Sequence, residues 1–106
     1  FISLSIAISK LLKQKVLKTN PIKDYVCAIS CGIVDQEILL DLDYNEDSSA
    51  EVDANLVLTE KGGISEIQIS GEKSTFSKDQ FLQIHDISEK ASREIFKLQR
   101  TILENE

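Results

Sequence analysis

The feature that most constrains this chain is a change of hydrophobic period at Ser77. Ahead of it, apolar residues alternate with smaller or polar ones. Beyond it, Phe81, Ile84, Ile87, Ala91, Ile95, Leu98 and Ile102 recur at steps of three and four. The first pattern belongs to a pleated strand and the second to an amphipathic helix, and one cannot stand in for the other. Ser77 followed three residues later by Gln80 is a capping box, so a long helix is expected over 77–103. Upstream, Tyr25, Cys27, Ile29, Cys31 and Ile33 alternate with Ala28, Ser30 and Gly32, which predicts a strand near 25–34 with one crowded face. Asp35-Gln36 marks a tight turn into a strand near 37–43. Two more strands are expected near 54–60 and 64–70, joined by Lys61-Gly62-Gly63, with Ile67 and Ile69 inward and Glu66 and Gln68 outward. An opening helix over 1–18, with Ile2, Ile6 and Leu12 or Val16 along one stripe, is stopped by Asn20-Pro21. Four strands with a helix at each end predict an α+β domain, its antiparallel or mixed sheet carrying helices on one face.

At 106 residues the chain makes one domain, 1–106, burying roughly two-thirds of its unfolded surface. An apolar share of 42% is that of a globular protein, and no segment is long and apolar enough to span a membrane. Phe1–Leu12 lacks the basic leader and Ala-x-Ala site of a signal peptide, and the absence of an initiator Met implies a start inside a longer reading frame. Cys27 and Cys31, four apart on a strand, lie about 13 Å apart and cannot bridge. With no other Cys and a single His in the chain, no zinc site is expected, and reduced, partly buried thiols in a cytoplasmic protein are. The net charge of −6 is uneven: Lys10, Lys13, Lys15, Lys18 and Lys23 precede a stretch, Asp35 to Glu60, in which every charge is acidic. Such a balance repels a phosphate backbone, so nucleic-acid work requires positive charge from elsewhere.

The acidic run itself, Leu39–Asn55, reads LLDLDYNEDSSAEVDAN. It holds Asp41, Asp43, Glu46, Asp47, Glu51 and Asp53 with no Lys or Arg between them. Crowded like charges repel. The chemical reasons to gather carboxylates at a strand end are to hold a hard divalent cation or to move protons; the plain alternative is a solvated acidic loop.

The stretch DYVCAISCGIVDQEILLDLDYNEDSSAEVDANLVLTEKGGISEIQISGE, followed by a helix opening TFSKDQF, resembles the second half of bacterial ribonuclease PH. The LDLDY-EDS-AEVD-N run carries the resemblance in both residue type and spacing. It implies the C-terminal half of a phosphorolytic 3′ to 5′ exoribonuclease, a nucleotidyltransferase that trims tRNA precursor 3′ ends with inorganic phosphate as co-substrate. Carried over by position, Asp47 and Asp53 are the catalytic, metal-binding carboxylates, with Glu51 a further metal-side acid and Mg2+ or Mn2+ the ion. Asp41 and Asp43 read as structural, hydrogen-bonding to neighbouring groups from one face of the strand leading in.

The resemblance also implies a phosphate site in a Gly-Thr-Arg-Thr segment at the start of the opening helix, which this sequence does not contain. Phosphate binding draws on helix N–H groups and a bidentate guanidinium. The only arginines, Arg93 and Arg100, sit on the last helix and read as solvent-facing. Three outcomes are open: an enzyme half completed by a separately encoded N-terminal half, a non-catalytic interaction module, or a decayed gene product. Alone, the chain is expected to be inactive, its metal held weakly, and to form a homo-oligomer through uncovered apolar surface. His85 is read as a boundary residue on a packing helix, and Lys61-Gly62-Gly63 as a turn rather than a phosphate loop.

Overall fold

A computed structural model describes residues 1–105. In chain order it contains α1 (Ile2–Lys13), β1 (Val26–Val34), β2 (Glu37–Leu40), α2 (Tyr44–Ser49), β3 (Val52–Thr59), β4 (Ile64–Gly71) and α3 (Lys78–Glu104). The four strands form one sheet in the order β2-β1-β3-β4, antiparallel throughout. This is the α+β layout expected, with the choice between antiparallel and mixed resolved.

Alternation sets the two faces. On one, Ile29, Cys31 and Ile33 of β1 and Val52, Ala54, Leu56 and Leu58 of β3 are buried under α3, with Ile67 and Ile69 of β4 at the margin. The turn from β1 to β2 places Asp35 and Gln36 both at positive φ, 50° and 65°, the geometry of a primed two-residue hairpin that matches strand twist. Between β3 and β4, Gly62 takes φ 93° and the Thr59 N–H donates to the Gly63 carbonyl at 3.0 Å.

α3 begins where the capping box places it: the Gln80 N–H donates to Ser77 Oγ at 3.1 Å and the Ser77 N–H to Gln80 Oε1 at 2.8 Å. Its buried seam, however, runs one residue off the apolar stripe. Ile84, Ser88, Ser92, Phe96 and Gln99 are buried, whereas Leu98 is 63% exposed and Ile102 44%. The polar members of the seam find partners for most of their groups, Gln99 Oε1 alone among them staying buried without one. Ser88 Oγ meets Cys31 Sγ at 3.5 Å, Ser92 Oγ donates to the Glu89 carbonyl at 2.6 Å, and Gln99 Nε2 donates to the Val26 carbonyl at 3.1 Å. Small serines let the helix approach β1 closely, so size outweighs hydrophobicity at these positions.

Three boundaries depart from expectation. α1 ends at Lys13 rather than near residue 18, because Lys15 turns to φ 62° and the chain closes a Schellman motif. The Val16 N–H reaches the Leu11 carbonyl at 3.0 Å and the Lys15 N–H the Leu12 carbonyl at 3.1 Å. Val16 therefore leaves the helix and is exposed, and the buried residue of α1 is Ser5. β2 stops at Leu40, since Asp41 adopts φ 53°, so Asp41 and Asp43 do not continue the strand face of Leu39. The acidic turn contains a helix, α2, which sequence periodicity could not reveal in six residues with no buried side chain. Among the described residues no helix is long and apolar enough to cross a membrane.

Candidate divalent-metal site

The acidic run folds at one end of β3, where α2 turns back onto the sheet. Asp43 caps α2: the Glu46 N–H donates to Asp43 Oδ1 at 2.8 Å and the Asp43 N–H to Glu46 Oε1 at 3.1 Å. This reciprocal box accounts for two of the six acids without any ligand. Asp41 is exposed at the end of β2, its N–H donating to the Ser30 carbonyl at 2.7 Å. Tyr44, first in α2, is 83% exposed.

Asp47, exposed on α2, and Asp53, half-buried as the second residue of β3, are brought together. The Asp53 carboxyl is pushed above the ordinary range, first by burial and then by the charges of Asp47 and Glu72. Hydrogen bonding with Asp47 pushes it the same way, and the Ala54 N–H only partly opposes the rise. Two neighbouring carboxyls that raise one another's cost of ionisation favour a shared proton or a shared cation over two bare charges. Among the described residues no Lys or Arg side chain forms an ion pair with either one.

Glu51 has a backbone role. Its N–H donates to the Ile33 carbonyl at 2.9 Å, and its carbonyl accepts from the N–H groups of Glu72 at 2.9 Å and Lys73 at 3.1 Å. Its charge is not among those that shift Asp53. Glu72 takes that place, a residue the sequence reading passed over. The signal was in the hairpin: β4 returns antiparallel from Gly63, so Asp53 faces Ser70 and Val52 faces Gly71, which carries Glu72 to the acidic end. Gly32 lies opposite Asp53 on the other side. A Cβ there would come within 2.5 Å of the Val52 carbonyl oxygen and 2.8 Å of Leu42 Cδ1, so the close approach of β1 to this end requires glycine.

These groups fit one kind of metal. Among the described residues no three His, Cys, Asp or Glu side chains form a ready cage. Mg2+ does not ask for one, since it keeps several waters and takes one or two carboxylates plus substrate phosphates. Asp47 and Asp53 are the pair that would hold such an ion.

The opposite end of β3 differs. Asp24 Oδ1 accepts from the Tyr25 N–H at 2.7 Å and Oδ2 from the Lys61 N–H at 3.0 Å. Burial raises the Asp24 carboxyl, but the hydrogen bonds from Lys61, Tyr25 and Thr59 and the Lys61 charge outweigh it and hold the group below its usual value. Arg100 is not merely solvent-facing: it pairs with Glu60 and lies over the Tyr25 ring, 4.9 Å from its centroid. Arg93 pairs with Glu89 at 3.1 Å. A cavity of about 390 Å³ opens there, lined by Lys61, His85 and both arginines. His85 is half-buried beside Asp86, at 3.6 Å, in keeping with a boundary residue.

A family profile described as "3' exoribonuclease family, domain 2" matches residues 24–91. The chain belongs to this family. It corresponds to the C-terminal half of its members, and both Asp47 and Asp53 fall inside the matched region. It is 45% identical over 103 residues to ribonuclease PH of Bacillus pumilus, covering 96% of this chain and 43% of that one. It is 46% identical over 104 residues to ribonuclease PH of Bacillus subtilis, covering 97% and 42%. The chain thus spans less than half the length of these exoribonuclease-family relatives. A crystal structure of rice Rrp46 superposes with a TM-score of 0.69 at 22% identity, over 94% of this chain and 45% of that one, a likeness of fold.

Proposed function

We propose that this domain supplies the divalent-cation carboxylates of a phosphorolytic 3′ to 5′ exoribonuclease acting on tRNA precursor ends. The observation that carries the reading is the approach of Asp47 and Asp53 without a counter-cation in a domain of the 3′ exoribonuclease family. In phosphorolysis an oxygen of inorganic phosphate bonds to the phosphorus of the terminal phosphodiester. The bond from that phosphorus to the 3′ oxygen of the preceding nucleotide breaks, releasing a nucleoside 5′-diphosphate and an RNA one residue shorter. A divalent cation held by Asp47 and Asp53 would supply stabilisation of the charge building on the phosphoryl and leaving oxygens. Asp53, held by the ladder between Gly32 and Ser70, fixes one ligand position on a rigid strand. Asp47 closes on it from α2, whose start is secured by the Asp43–Glu46 box. Glu72 adds negative charge that favours cation capture over loss.

The phosphate-binding groups belong to the N-terminal half of a ribonuclease PH, the partner this reading requires. The setting we assign is the cytoplasm, where free Cys27 and Cys31 stay reduced. Copies of the chain self-associate through apolar surface left exposed on the domain. The chain alone releases no nucleoside diphosphate from a tRNA 3′ tail. Mixing it with an N-terminal half taken from the Bacillus subtilis relative, with phosphate and Mg2+, restores release, and Asp53→Asn abolishes it. Phosphate-dependent release by the isolated chain, or none from a soluble, co-folded pair, overturns the proposal.

A further inference from the structure

The two edges of the sheet are unequal. β2 has four residues and is turned aside by Asp41 at φ 53° and by α2, a blunted edge. β4 has eight residues, no Lys, Arg or Pro, one charge at Glu66, and among the described residues no strand on its outer side. Its irregularity lies at the hairpin end, where Leu58 faces Ile64 while Val57 faces Glu66, so Glu66 onward runs in regular register. Natural edges of this length are normally protected by Lys, Pro, a central bulge or a covering element. α3 packs over β1, β3 and β2 and offers little to β4. Ile67 and Ile69 consequently stay only half-buried although they touch the core.

We infer that β4 is a self-pairing edge, which joins a second copy of this chain antiparallel about a two-fold axis at Gln68 and makes one eight-stranded sheet. This rests on the self-association proposed above and names its surface. Antiparallel partners share a face, so only registers that keep Ile67 and Ile69 on the helix side are allowed. With Gln68 on the axis, Ile67 faces the second copy's Ile69 twice over, Glu66 faces Ser70, and no like charges meet. With Ile67 on the axis, Ile69 faces Ser65 instead and one isoleucine contact replaces two. The Gln68 register therefore pairs the most apolar surface and satisfies the row of open N–H and C=O groups.

Axis geometry gives a direct test on the full 106-residue chain. Directly opposed antiparallel residues have Cα atoms about 4.5–5.5 Å apart, within disulfide range. Gln68→Cys therefore gives a cross-linked dimer under mild oxidation. Glu66→Cys alone does not, being offset from its own copy by four residues or about 13 Å. A mixture of Glu66→Cys and Ser70→Cys chains cross-links, and Gln68→Lys weakens self-association about threefold by opposing two ammonium groups. Wild type, which carries Cys27 and Cys31, sets the background. A dimer that Gln68→Cys fails to cross-link overturns the edge assignment while sparing self-association; a monomer of 11.9 kDa by light scattering at high concentration overturns both.

Discussion

The two ends of β3 hold acids under opposite conditions. At the Thr59 end both acids are answered: Asp24 by the N–H groups of Lys61 and Tyr25, and Glu60 by an arginine that also covers a tyrosine ring. At the Val52 end Asp47 and Glu72 act on Asp53, with no ion pair to a Lys or Arg among the described residues, and Asp53 rises where Asp24 falls. An acid whose charge is satisfied by its own fold holds a loop in place. An acid kept in the company of other acids is one that a divalent cation would stabilise.

Four changes set the ends against each other. The largest effect lies between them. Leu56, fully buried at mid-strand, links both, and Leu56→Ala is expected to cost about 2–5 kcal/mol in denaturant unfolding, weakening both ends together. Gly32→Ala strikes the acidic end alone. Its Cβ meets backbone, so a loss of about 1–3 kcal/mol is expected, together with displacement of β1 from Asp53.

Asp53→Asn is expected to stabilise the domain near neutral pH by up to about 1 kcal/mol, once solvent screening of a partly exposed group is allowed for. The sign follows from linkage. The folded carboxyl titrates above the ordinary 3.8, so the folded state binds the proton more tightly and stability falls as pH rises through the raised value. The gain from Asp53→Asn is therefore absent below pH 3.8 and appears above it. Thermal unfolding from pH 3 to 7 reads this, and a loss of stability at neutral pH contradicts it. Asp24→Ala, the smallest effect, has the reverse slope. Asp24 titrates below 3.8, so its contribution is present above that value and fades as pH falls through the depressed one. The variant unfolds earlier than wild type at neutral pH and converges with it in acid.

The same contrast explains what the sequence made legible. Periodicity and capping placed the four strands and both long helices, since each rests on a local rule: the 77–80 box, the Asp35-Gln36 turn, the glycine hairpin. Residue type and spacing marked the acidic run, and the resemblance to ribonuclease PH singled out Asp47 and Asp53 within it. What escaped depends on register or on a single backbone angle. Glu72 reaches the acidic end only through β3–β4 pairing, and Lys15 and Asp41 end their elements by turning to positive φ, which no apolar pattern encodes. The seam of α3 escaped because Ser88 and Ser92 bury through fit and local hydrogen bonds rather than apolar area.

The central claim is that the uncompensated pair at the Val52 end is a cation seat. Titrating Mn2+ into the wild-type chain and into the Asp47→Asn/Asp53→Asn double variant, with bound Mn2+ read by electron paramagnetic resonance, tests it most directly. The account predicts one weak site in the wild type, displaced by Mg2+, and its loss in the double variant, with Asp24→Ala unchanged from wild type. Indistinguishable Mn2+ binding by the wild type and the double variant would contradict it.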